Sequence, residues 1–220
     1  MDFSSLNPAV IILTVVGLAL APFVAVMVTS FTKIVVVLSL LRNALGLQQV
    51  PPNVVINGLA VILSIYVMYP VLTESYRAID QRVQAEPGRK LDAARLIDLA
   101  STAKEPLRGF LLKHSNNAER AFFLRTARQV LRQDASQVSD NDFVVIVPAF
   151  TVTELTEAFQ IGFLIFLPFL IIDLIVSNIL LALGMMMLSP TTVSLPFKLM
   201  LFVFLNGWAK LVHGLILTYR

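Results

Sequence analysis

The sequence predicts an all-α integral membrane protein, built from helical hairpins whose helices are broken. Three observations predict it. The 220 residues are 57% hydrophobic, with a mean hydropathy of +0.80. Only 14% of them are charged, against about 25% in soluble domains. The apolar residues are also gathered into runs longer than one bilayer crossing, each interrupted by proline. The chain has no cysteine, which excludes disulfides, thiolate metal sites and cysteine nucleophiles. A net charge of +3 points to no class of partner. The basic residues are not interleaved with aromatics as a nucleic-acid groove requires, so no nucleic-acid partner is expected.

Three regions follow from the charge distribution. Residues 1–76 are N-terminal hydrophobic helices, 77–142 a hydrophilic helical domain, and 143–220 C-terminal hydrophobic helices. The opening MDFSSLNPAVIILTVV carries Asp2 and no base before Lys33. A signal peptide needs the opposite charge there, so the segment is expected to be retained, with Pro8 in the first helical turn. Ala9 to Leu41 exceeds one span, and Pro22 is expected to interrupt it. Within it Gly17, Ala21, Ala25 and Thr29 recur every four residues and predict a ridge for close helix packing. Lys33, between apolar runs, either snorkels to an interface or faces a wet interior, and snorkelling is expected.

The loop GLQQVPPN closes this block, with Asn53 as N-cap of the next helix. Val54 to Leu72 has a normal spanning length. Tyr66, Tyr69 and Tyr76 near its end resemble an interfacial belt, and Pro70 is expected to kink or stop it. Residues 77–142 hold 12 of the 17 bases and 9 of the 14 acids. Pro87-Gly88 reads as a turn, and Asn116 with Glu119 as a capping box. Phe123, Leu124, Ala127, Val130 and Leu131 share one helical face, with Arg120, Arg125, Arg128 and Arg132 around much of the rest. A solvated amphipathic helix is the expected reading, ahead of a strip for anionic lipid. At about 66 residues this domain has little capacity for a core of its own and should pack on partners.

Ala158 to Leu188 is almost unbroken apolar sequence with one formal charge, Asp173. As a helix it would be roughly 46 Å long, where a bilayer core needs about 30 Å. Pro168 predicts a kink or break within it. Asp173 is the buried acid of the segment. It reads either as a proton relay or as a residue bonded to nearby backbone or to Asn178, and the second is expected. The run ends in Gly184, Met185, Met186, Met187 and Ser189-Pro190. The final segment, Leu195 to Tyr219, carries Lys198, Lys210 and His213, with Trp208 and Tyr219 suited to membrane interfaces. His114 and His213 lie in no metal-ligand spacing, and no zincin, nucleophile-elbow or phosphate-loop motif occurs. Neither a cofactor nor an enzymatic activity is therefore expected. Counting arginine and lysine places 77–142 in the cytoplasm.

The combination SFTKIVVVLSLLRNALGLQQVPPN, then FQIGFLIFLPFLIIDLIVSNILLALGMMML, then SLPFKLMLFVFLNGW resembles the membrane export-gate subunit of bacterial type III secretion. That is the FliP/YscR-like family, and the injectisome branch fits better than the flagellar one. The resemblance implies a non-enzymatic, pore-forming subunit of the inner membrane, multi-pass by sequence. Five copies would join two smaller membrane subunits in a helical, cone-like gate for unfolded secreted proteins. A larger export-gate protein and needle or rod components are further implied partners. Much of the assembly, including 77–142, would lie on the periplasmic side, against the charge count. Met185, Met186 and Met187 match the family's methionine loop, a pore gasket. Glu154 and Lys198 match an intersubunit ion pair, and Glu157 departs from the flagellar pattern beside it. The alternative is a proton-coupled transporter using Asp173.

Overall fold

In the computed structural model, residues 8–47, 49–86, 93–130, 138–185 and 187–220 are described. Among them the regular structure is entirely helical. The helices are α1 (Pro8–Val28), α2 (Phe31–Ala44), α3 (Asn53–Ala85), α4 (Ala93–Lys113), α5 (Asn117–Val130), α6 (Phe143–Ala182), α7 (Pro190–Phe204) and α8 (Gly207–Leu217). By length and composition α3 and α6 can each cross a membrane. Counting the α1–α2 and α7–α8 pairs as one bent span each raises the number to four.

The helices do break, but not at the prolines. α1 runs through Pro22, α3 through Pro70 and α7 through Pro196. α6 is one helix of 40 residues containing both Pro148 and Pro168, so of the kink or break expected at Pro168 the break does not occur. One proline removes one bond from a long ladder, and long apolar helices tolerate that loss when neighbours re-satisfy the freed carbonyl. The breaks fall where polar side chains or left-handed backbone end the ladder. At the end of α1, Thr29 donates back to the Ala25 carbonyl, and Thr151 donates to the Met27 carbonyl. Between α7 and α8, Asn206 takes a left-handed φ of 51° and the two helices diverge by 61°.

The chain groups into two compact units, Met1–Ser30 with Met68–Glu154, and Phe31–Val67 with Leu155–Arg220. In the first, α1 packs on α4. Its core joins Val28, Leu111, Ile146 and Phe150. Three of those four lie outside 77–142, so Leu111 of the hydrophilic segment is buried against residues of the flanking helices. Arg95 is 3% exposed and donates to Glu86 at 2.9 Å and to the Arg82 carbonyl at 3.0 Å. The N-cap of α5 forms as the sequence predicts, with Asn116 accepting from the Ala118 N–H. The Asn116 N–H itself donates to Thr153 on α6, where the capping box would place Glu119. α5 has no buried residue, and Val130 is exposed. Leu131, Arg132 and the Pro87-Gly88 turn lie outside the described residues.

The second unit packs α2 between α3, α6 and α8 through Ile34, Val37, Leu38, Ile56, Ala60, Leu63, Ala158 and Leu215. A second cluster joins Leu41, Ala44 and Leu45 to Phe169 and Phe202. Gly162 permits the closest approach. A Cβ there would stand 2.2 Å from Leu40 Cδ1.

Candidate functional site

The loop between α6 and α7 is fixed by how α6 ends. Gly184, at a φ of 71°, donates to the Leu181 carbonyl, and Met185 donates to Leu180. These are the paired bonds of a Schellman cap, which requires the left-handed residue that glycine supplies. Leu188 then donates to the Met185 carbonyl, and Pro190 starts α7. Met185 and Met187 are therefore presented beside a pinned helix cap. Met185 is half exposed and Met187 wholly so, while Met186 lies outside the described residues.

Below that turn lies an ion cluster that joins three helices of the second unit. Asp173 on α6 accepts from Ser194 at 2.5 Å and from Lys198 at 2.6 Å, both on α7. Lys198 also donates to the Ala44 carbonyl at the end of α2, at 3.2 Å. α2 ends in the same kind of cap as α6, with Gly46 at φ 78° and Leu47 bonded to Arg42. The lysine thus neutralises the acid and meets the negative end of a helix dipole together. Ser194 and Lys198 are buried, while Asp173 keeps 25% of its side chain exposed. The expectation of a backbone or Asn178 partner for Asp173 is corrected. Its partners lie 21 and 25 residues away, on the returning arm of a hairpin.

Lys33 also departs from expectation. It does not snorkel. It is 1% exposed, 2.6 Å from Glu157 and 4.3 Å from the centre of the Tyr219 ring. Tyr219 is accordingly buried, not placed at an interface, whereas Trp208 is 43% exposed. A lysine with a carboxylate within hydrogen-bonding distance has no cause to reach for water. Glu157 is occupied by this pair. Glu154 is fully buried on α6, and within the chain Lys198 is held by Asp173. The ridge of Gly17, Ala21 and Ala25 is open: all three are exposed, and a Cβ at Gly17 would meet nothing within 4 Å. Among the described residues no cluster of metal-ligating side chains occurs.

Ser194 and the Lys33–Glu157 pair were missed by a residue-by-residue scan. The charge pattern signals the Lys33–Glu157 pair, whereas the uncharged Ser194 has no such signal. Outside 77–142 the chain has only five bases and five acids, and in apolar surroundings such charges need partners.

Fold and site together define a helical protein of the membrane class, in which buried charges tie the helices of the second unit to one another. The most apolar window of α6 is only 11% buried, so that helix must be covered by lipid or by other chains. The model of the FliP family matches residues 12–215, and the chain belongs to that family. It is 50% identical over 221 residues to the hypersensitivity response secretion protein HrcR of Ralstonia nicotianae, covering 100% of this chain and 99% of the relative. It is 50% identical over 213 residues to the pathogenicity-related ORF2 of Xanthomonas campestris pv. glycines, covering 96% and 97%. It is 49% identical over 205 residues to the Yop proteins translocation protein R of Yersinia pestis, covering 92% of each.

Proposed function

We propose that this chain is the pore-forming core subunit of a type III secretion export gate, passing unfolded proteins across the bacterial inner membrane. The observation that carries this reading is end-to-end similarity to proteins named for secretion and for translocation. The uncovered apolar faces of α1 and α6 support an assembly of several copies, five with two smaller partner subunits. A larger export-gate protein and needle or rod components complete the partner set. The subunit supplies a passage and no catalysis.

The methionine turn is the gasket. Thioether side chains are unbranched and polarizable, so a ring of them closes on itself and parts around varied peptide. A constriction of that kind also excludes water when shut. The pinned Schellman turn, with Met187 wholly exposed, suits that role. Glu154 contributes to an intersubunit pair with Lys198, and the open ridge on α1 seats a neighbouring helix. The transporter alternative gains nothing from the site, where Asp173 is already matched by Lys198 and Ser194.

Replacing Met185, Met186 and Met187 by glycine tests the gasket. In a complex that still assembles, the permeability of the membrane to small solutes should rise. Unchanged permeability in an assembled complex would refute it.

A further inference from the structure

The second unit carries an apolar groove of about 480 Å³ between α6 and the α7–α8 turn. Its walls include Ile165, Phe169, Phe202, Leu211 and Gly214. Lys210 is the one charged residue that lines it, and it is exposed. Three of the other bases of this unit are held within it. Lys33 is taken by Glu157, Lys198 by Asp173, and Arg42 by the Asn53 side chain and the Pro51 carbonyl. Lys210 meets no carboxylate among the described residues, and the unit has no third acid to offer. An unmatched cation beside an apolar trough calls for a ligand that is anionic at one end and hydrocarbon along its length.

We propose that this groove binds one acyl chain of an anionic phospholipid, with the lipid phosphate on Lys210. The volume is that of a small-ligand pocket, within the usual range of about 300–1,000 Å³. Gly214 leaves the floor clear, since a Cβ there would meet nothing within 4 Å. Trp208 stands at the same place. It follows the lining residue Gly207 in sequence and packs edge-on against Phe202, another lining residue, at 5.6 Å.

Trp208 is the only tryptophan of the chain and touches the lining residue Phe202, so its fluorescence reports on the edge of the groove. The full chain, reconstituted in phosphatidylcholine vesicles, is challenged with brominated phosphatidylglycerol or brominated phosphatidylcholine as a minor component. Phosphatidylglycerol should quench about fivefold more effectively, the factor one lysine near an anionic headgroup contributes. Lys210→Gln, at an exposed position, should abolish that preference with helix content unchanged. Gly214→Leu, which fills the floor, should abolish it with Lys210 in place. Equal quenching by the two lipids, or a preference that survives Lys210→Gln, overturns the proposal. So does a preference that disappears once partner subunits are co-assembled, since the groove would then be a protein seat. None of these results bears on the export-gate reading.

Discussion

Glu157→Gln is the sharpest probe of how the second unit holds together. Lys33 is 1% exposed, so its ammonium cannot regain water when its partner loses charge. Removing one member of a fully buried pair costs about 3–5 kcal/mol. Glu157 keeps 45% of its side chain in contact with the surroundings, and pairs open to solvent are worth about 0–1 kcal/mol. The expected loss is therefore intermediate, about 2 kcal/mol, with the Tyr219 ring at 4.3 Å retaining part of the attraction. The assay is reversible unfolding of the purified chain in mixed micelles, followed by helix content. The same substitution is then made in a Lys33→Met background, where it should cost under about 0.5 kcal/mol, because the cation it served is gone. An equal cost in both backgrounds would refute the pair as a source of stability.

Three further outcomes are expected. Gly162→Ala should destabilise the chain by about 1–3 kcal/mol, because its Cβ would overlap Leu40. Gly17→Ala should leave the unfolding midpoint of the isolated chain unchanged and weaken assembly, since the ridge is open within one chain; loss in both assays would make α1 part of the chain's own core. Lys198→Glu places a carboxylate against Asp173 and should prevent assembly. Adding Asp173→Lys should restore the fold, and adding Glu154→Lys as well should be needed to recover assembly. Full recovery with Asp173→Lys alone would confine Lys198 to its own subunit and remove the intersubunit pair.

The helical class was legible because composition and run length leave few alternatives. So was the Asn116 cap, which depends on neighbours in sequence. The break positions were not. Proline is a conspicuous local signal, but the loss of one bond in a 40-residue ladder is a small perturbation. The true breaks needed Thr151 to reach the Met27 carbonyl from another helix, 124 residues away. Lys33 was misjudged for the same reason. Whether a lysine snorkels depends on what stands opposite it, and Glu157 and Tyr219 come from α6 and the end of α8. Asp173 appeared isolated because it was weighed within one segment, while its partners lie on α7. The methionine turn was visible as sequence, since Gly184 marks the cap that fixes Met185. Its relation to other copies lies beyond a single chain.

The pore itself is most directly tested by Met187→Cys. The chain has no native cysteine, so a single thiol can be followed without background. Met187 is wholly exposed at the tip of its turn. If these turns converge on a central channel, oxidation of the assembled complex yields covalent dimers through position 187, and an exposed Leu217→Cys control yields none. An assembled complex that stays uncrosslinked at 187, or crosslinks no better there than at 217, would contradict the placement of the methionines around a shared pore.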